Sequence, residues 1–345
     1  MEKITADNFI TDDKTNKVYI SSLIDRPYGD LDKGVRSELK KRILGFGQGC
    51  ELLYNTKDVW VRDYMPIQLT EDIFLSYTYN PDYLANYPKY ITKWQLHDVH
   101  TKKQRAKGEC FDFKVVQIPI TLDGGNVVKA VVNHKPCMIM CDKVLKENNF
   151  NHLEDFRIWW KNWWKENFDG TEMEFVLLPW EGYEDNPIGH ADGMVRYVEE
   201  GRVLLTNYGE FDKKYKDYHG SLFKYKLEEA GFNVETLSYL DKLDYDKDEK
   251  FRLLFNHSWC YINYLQVGNR ILVPTLGYDP MDQAALQQID HAFNAKRRIV
   301  EIHPIDINMT TIVEDMDSNR NSGGGLNCLT WTIYDKTKDT DNIIQ

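Results

Sequence analysis

The chain has 345 residues, of which 42% are hydrophobic and 13% aromatic, and it carries a formal charge of −11. That is ample for a large core, and the negative balance disfavours nucleic acid and anionic membranes as partners. No apolar run approaches the roughly 20 residues of a membrane span, and the opening MEKITADNFITDD lacks the basic and then apolar stretches of a signal peptide, so a soluble, cytoplasmic protein is expected.

In chain order, VYISSLI reads as a strand, residues 31 to 45 as an amphipathic helix with Val35, Leu39 and Ile43 on one face, and CELLY as a second strand. Residues 65 to 120 fit a strand pair, a poorly patterned helical region and a strand. From Asn126 the pattern is clearer: NVVKAVV, a turn at 133–136, CMIMC, a helix at about 151 to 168 and EFVLLP. GMVRYV, a turn at Glu200 and Gly201, RVLLTNY, a helix near 221 to 231 and NVETLSYL repeat it. YINYLQV, a turn at Gly268 and Asn269, RILVPTL, a helix from Pro280 and RIVEIHP repeat it again. Asp279 is expected to cap that last helix, with Asp282 in its first turn against the positive dipole end. The helix HLEDFRIWWKNWWKENF pairs four tryptophans, most simply a core-facing aromatic face. CLTWTIY closes the chain.

Each unit is thus strand, strand, helix, strand. Five polar anchors, Asp63, Asn126, Asp192, Asn263 and Cys328, recur about 65 residues apart, where the third strand of one unit hands over to the next. The first pieces supply a strand, a helix and a strand, and CLTWTIY the strand they lack. Pairing the two ends closes a ring of five ββαβ units, an α/β propeller about a pseudo-fivefold axis, in which the anchors converge at one end of a central channel. The alternative is an open α/β sheet. No Pro- or Ser-rich linker interrupts residues 1–345, which read as a single catalytic domain.

The six cysteines form no CxxC pair, which argues against a disulfide framework or a zinc ribbon. Cys137 and Cys141, flanking MIM, read as buried thiols. Cys328 follows three glycines, which leave the backbone free to approach a ligand closely. Taken alone it is either a nucleophile or a small buried hydrophobe. GHADG holds His190 and Asp192 two residues apart, which on an extended segment directs both to one face. VWVRDYMP carries Trp60 and Asp63, LDGGN carries Asp123 in what is equally an ordinary turn, and YINYL places Asn263 in a strand-like run that disfavours asparagine.

Taken together, WVRDYMP, LDGGNVV, GHADGMVRYV, YINYLQV with ILVPTLG, and GGGLNC resemble the guanidino-group modifying enzymes, or penteins, most closely the agmatine deiminase and Porphyromonas-type peptidyl-arginine deiminase family. The resemblance implies a five-bladed α/β propeller and metal-independent hydrolysis of a guanidinium to a ureido group plus ammonia, with neither cofactor nor metal. It assigns Cys328 as nucleophile, His190 as general acid and base, and Asp63 and Asp192 as the carboxylates that grip the guanidinium. Trp60 resembles the aromatic wall of the substrate site, with Asp123 and Asn263 as supporting polar groups. The implied partner is a small cationic guanidino substrate, first agmatine, giving N-carbamoylputrescine on the way to putrescine. Arginine or a peptidyl-arginine derivative, giving citrulline, is the alternative. A homodimer, and amidino transfer in place of hydrolysis, are left open.

The chemistry suits those residue types. A guanidinium stays protonated to about pH 12 and is a poor electrophile, so carboxylates on its edges must fix it while a soft nucleophile attacks its face. Two features depart from the family. Asn327 stands where many members have histidine before the nucleophile, and the N-terminal motif of agmatine deiminases is not recognisable. Both bear on the substrate, whose far end the loops 80–110 and 209–220 are expected to contact. Arg320 reads as a solvated loop residue or as a partner for a substrate carboxylate. Two rival readings are an iron site built from His190, Asp192 and His257 or His303, and a non-catalytic guanidine-binding protein.

Overall fold

The computed structural model describes residues 1–25, 41–43, 45, 50–93, 113–180, 189–206, 219–237, 258–295, 300–305 and 324–336. Fifteen strands among them form five three-stranded sheets. The strands are β1 (Lys17–Ser21), β2 (Cys50–Leu53), β3 (Ile67–Gln68), β4 (Ile73–Thr78), β5 (Lys114–Thr121), β6 (Val128–Val132), β7 (Lys135–Cys141) and β8 (Glu174–Leu178). They continue as β9 (Val195–Glu199), β10 (Arg202–Thr206), β11 (Asn233–Leu237), β12 (Leu265–Val267), β13 (Arg270–Pro274), β14 (Glu301–Ile305) and β15 (Thr330–Ile333). The sheets are β15-β1-β2, β3-β4-β5, β6-β7-β8, β9-β10-β11 and β12-β13-β14.

All five have the same pairing: the first two strands are antiparallel and the second two parallel. This follows from the connections. An antiparallel pair needs only a tight turn, such as Asn133–His134 with φ of 51° and 59°, whereas a parallel pair needs a crossover. The helices Leu153–Asn167 and Asp279–Asn294 supply two of the crossovers, and His219–Glu229 lies on a third. His219–Glu229 packs against β8 and β11, and Asp279–Asn294 against β11 and β14.

The sheet that joins the two ends of the chain carries its own lock. Lys17 on β1 is buried, with Nζ 3.1 Å from Glu51 Oε1 on β2 and 3.3 Å from Asp335 Oδ2 just after β15. Asn16 Nδ2 also donates to Asp335 O (3.0 Å), and Asp335 N to Asn16 Oδ1 (2.7 Å). The first strand of every sheet buries a polar side chain as well: Gln68, Lys129, Arg196, Gln266 and Thr332. Arg196 meets Asp12 at 2.9 Å and lies 4.7 Å from the Tyr264 ring centroid, so the N-terminal segment neutralises part of this polar set.

Several local expectations are corrected. The final helix is not capped by Asp279. Tyr278 is the N-cap residue, without a side-chain cap, and Asp282 in the first turn ties the helix to the segment before it, accepting from Leu276 N (2.8 Å) and Tyr278 N (2.9 Å) and from Tyr261 Oη (2.6 Å). Asn263 precedes β12 and is not part of it, because its side chain is committed to three hydrogen bonds described below. GHADG is not extended throughout: His190 is, but Asp192 sits in the 3-10 turn Ala191–Gly193, so strand alternation does not set the relation between the two side chains. Of the expected helix over residues 31 to 45, Val35 and Leu39 lie outside the described residues, while Ile43 is helical and buried.

The tryptophan helix faces the core as expected. Phe156, Trp160 and Trp164 are buried, and Trp160 Nε1 donates to Met173 O at 2.8 Å, which satisfies the one polar group the ring carries inside. Cys137 and Cys141 are buried thiols in the same cluster. Trp160→Ala is expected to lower unfolding free energy by about 3–5 kcal/mol, whereas the exposed Lys161→Ala changes it by less than about 0.5 kcal/mol. Urea titration of both variants checks this; equal losses would show that the aromatic face is not the structural one.

Candidate active site

Three of the handover segments between sheets carry short helical turns, and these touch in succession. The four-residue helical turn Val61–Tyr64 contacts Gly124–Asn126, which contacts Ala191–Gly193, and Val61–Tyr64 also contacts β15. Arg62 ties two of the segments directly: its N donates to Cys328 O (3.1 Å), and its Nε donates to Asn327 O (3.2 Å). Side chains from four distant stretches therefore meet in one buried cluster.

Cys328 is 7% exposed, and its Sγ lies 3.5 Å from both Asp192 Oδ2 and Asn263 Oδ1. Asn263 Oδ1 accepts from Asn327 N (3.0 Å) and Cys328 N (3.3 Å), and its Nδ2 donates to Asp192 O (3.2 Å), so one carboxamide fixes both the Cys328 loop and the Asp192 turn. Asn327 Nδ2 donates to Asp192 Oδ2 at 2.8 Å. His190 stands between two other carboxylates, with Nδ1 3.6 Å from Asp63 Oδ1 and Nε2 3.0 Å from Asp123 Oδ2. Asp63 Oδ1 also accepts from Gly125 N at 3.2 Å.

Glycine is required here by close approach. A Cβ on Gly125 would lie 2.6 Å from both Asp63 Oδ1 and His190 Nδ1, wedging that pair apart. A Cβ on Gly324 would collide with the six-membered ring of Trp60, so the backbone before Cys328 lies flat on that indole. Gly324 is thus used for contact with Trp60, and Gly325 for close approach to Asn263.

Burial and like charge set the electrostatics. Burial raises Asp63, His190 opposes this, and Asp123 and Asp192 add to it, which leaves the carboxyl at about 7. Burial disfavours the His190 imidazolium, but Asp63, Asp123 and Asp192 outweigh it and hold the ring above its usual value. Burial also pushes the Cys328 thiol well up, with Asp192 and Asp63 reinforcing it, so at rest the sulfur keeps its proton. Asp123 moves the other way: Lys143 and His190 overcome its burial and keep it low.

The structure brings together Cys328, His190, Asp63, Asp192, Asp123 and Asn263, with Trp60 beside them. The anchor Asn126 turns away: its carboxamide bonds Cys141, accepting from N at 2.7 Å, and Asp123, three residues earlier, takes the place at the cluster. Asp123 and Asn263 both find their polar partners among other site residues. Lys143, which meets Asp123 Oδ2 at 3.4 Å, carries no signal in the sequence; it is one lysine after a strand. Asn327, a departure from the family pattern in sequence, has a place in the cluster through its bond to Asp192. His303, one proposed iron ligand, lies on β14, half exposed and 3.3 Å from Glu301. Among the described residues no three His, Cys, Asp or Glu side chains are arranged to hold a metal ion, and no helix is long and apolar enough to cross a membrane. Arg320, His257 and the stretches 94–110 and 209–218 lie outside the described residues.

A search of curated protein sequences found no match. Among solved structures, an agmatine deiminase from C. jejuni superposes with a TM-score of 0.60 at 16% identity, covering 95% of this chain and 96% of that one. An agmatine deiminase of Enterococcus faecalis gives 0.60 at 16% identity, covering 96% and 99%. These similarities establish a shared fold. The sequence profile of the Porphyromonas-type peptidyl-arginine deiminases matches residues 32–333, nearly the whole length, and with that match the chain belongs to the Porphyromonas-type peptidyl-arginine deiminase family.

Proposed function

We propose that the protein hydrolyses a guanidinium group to a ureido group plus ammonia through a covalent adduct on Cys328, with agmatine as the first substrate and arginine or an arginine derivative as the alternative. The observation that carries this reading is the burial of a thiol among three carboxylates, Asp63, Asp123 and Asp192, beside one histidine. Such a cluster is short of positive charge, and a planar cation relieves it. The five sheets of identical pairing and the β1 to β15 closure support a five-bladed propeller formed by a single domain, with this cluster at one end of its axis.

In this reading Asp63 and Asp192 take the guanidinium edges and Trp60 walls the site. The bound cation lowers the Cys328 pKa, so the thiolate forms only when substrate is present. Sulfur attacks the guanidinium carbon, forming a C–S bond and a tetrahedral adduct. His190 protonates one nitrogen, the C–N bond breaks, and ammonia leaves a thiouronium on Cys328. Neutral His190 then takes a proton from water, the hydroxide adds to carbon, and C–S cleavage with transfer of the hydroxyl proton to the departing sulfur returns the thiol, the imidazolium and the ureido product. Asn263 and Asp123 hold the nucleophile loop and His190 in place.

Ammonia and ureido product measured over a panel of guanidino compounds test this directly. C328S is expected to bind but to turn over at least about a thousandfold more slowly, and D63N and D192N each to lose more than about a hundredfold in kcat/KM with unchanged circular dichroism. Folded variants of wild-type efficiency would remove the assignment. A second expectation concerns pH. Asp63 must be ionised to grip a cation and titrates at about 7 in the free protein, so kcat/KM should rise with pH through about 7. This limb should vanish in D63N; a flat profile between pH 5 and 8 in the wild type contradicts it. The resting thiol gives a third: alkylation of Cys328 by iodoacetamide at pH 7.5 should be slow, and faster when a non-hydrolysable guanidinium is bound. Equal rates would exclude activation by the cation.

A further inference from the structure

Behind Asp123 lies a buried ammonium that the reaction above does not use. Lys143, at the start of the helix Lys143–Glu147, has a side chain with no solvent exposure. Its Nζ lies 3.1 Å from Asp82 Oδ1, 3.1 Å from Glu147 Oε1 and 3.4 Å from Asp123 Oδ2. The oxygen it meets on Asp123 is the one that His190 Nε2 meets at 3.0 Å. Two aromatic faces complete the cage, Tyr83 at 4.7 Å and Trp180 at 5.8 Å from Nζ to the ring centroid.

An acid and base must both hold and release its proton. His190 faces Asp63 and Asp123 directly and the field of Asp192, with the Tyr83 ring 6.1 Å away. Three carboxylates around one imidazole favour the imidazolium and would lock it as an acid. We propose that Lys143 is a positioning residue that weakens the hold of Asp123 on His190, by sharing the same carboxylate oxygen, so that the ring can lose its proton for the water step. This rests on the reading of His190 as the acid and base.

The remaining groups around the pair are consistent with that role. Asp82 is part exposed, so it draws less of the lysine's charge away from Asp123. Glu147 is raised to about 7 by burial and by Asp123, which leaves Asp123 as the carboxylate that stays ionised against Lys143. Asp142 accepts from Trp180 N (2.6 Å), and Lys146 lies over the same indole at 5.9 Å, so both help to fix the aromatic wall of the cage. Tyr77, Tyr79 and Tyr83 also feel the Asp123 charge, and all three are held well above their usual range by burial, so they remain neutral.

Removing the ammonium takes a positive charge away from the His190–Asp123 pair, so the pair binds its proton more tightly. The test is a nuclear magnetic resonance titration of the His190 ring, assigned by its loss in H190N, in wild type, K143Q, K143M and K143R. K143Q and K143M should raise the His190 midpoint by about one unit or more, and K143R should restore it to within a few tenths of the wild type. In turnover, K143Q should accumulate the Cys328 adduct, with kcat and KM falling together and the kcat profile displaced to higher pH. A merely structural lysine would lower the melting temperature without moving the midpoint. An unmoved or lowered midpoint in a folded variant overturns the proposal, and so does failure of all three substitutions to fold. The titration needs no substrate, so it stands or falls apart from the hydrolytic reading: a wild type inactive on every guanidino compound defeats that reading alone.

Discussion

The cost of holding several carboxylates together out of water organises this protein. Asp63, Asp123 and Asp192 are each at most 5% exposed, and none can remain ionised there without a cation or hydrogen bonds. The structure answers each differently. Asp123 receives Lys143 and His190 and stays ionised. Asp192 receives Asn327 Nδ2. Among the described residues the Asp63 carboxylate meets His190 and one backbone N–H, and it is driven up to about 7. Cys328 lies in the field of Asp192 and Asp63, so a cation bound there, as proposed for the substrate, would relieve both carboxylates and the thiol.

The fold serves that arrangement through its repeat. The same pairing recurs in five sheets, and residues about 65 positions apart in sequence, such as Asp63 and Gly125 or Asn263 and Cys328, are neighbours. Short turns do the final placement. Asp63 and Asp192 each sit in a single helical turn whose backbone is held by its neighbours. Gly125 lets two of those turns close to contact. Rigid turns on a packed scaffold keep side chains in register more tightly than long loops do.

Much of this was legible in the sequence because it depends on periodicity. The strand and helix alternation from Asn126 onward, the even spacing of the anchors and the complementary end segments are all local patterns, and the strands match them within a few residues. The candidate site was legible because a thiol, an imidazole and two carboxylates recur at the same phase of a repeat. What escaped were features fixed by tertiary contact. Asn126 has the phase of an anchor but bonds the backbone of Cys141, and no property of its neighbours distinguishes it from Asp192. Asp279 falls inside the helix and does not cap it, while Asp282 is engaged by Tyr261, a contact from another part of the chain. Lys143 is an ordinary lysine in sequence and a caged ammonium in space.

The carboxylate cluster is proposed to present a guanidinium carbon to Cys328. Rapid acid quench of the working protein with agmatine or arginine, followed by peptide mass mapping, measures this most directly. A transient adduct equal to the substrate less ammonia is expected on the peptide bearing Cys328 and on no other cysteine. Turnover of a guanidino compound with no adduct on that peptide, or with the adduct on Cys50, Cys110 or Cys260, would contradict it.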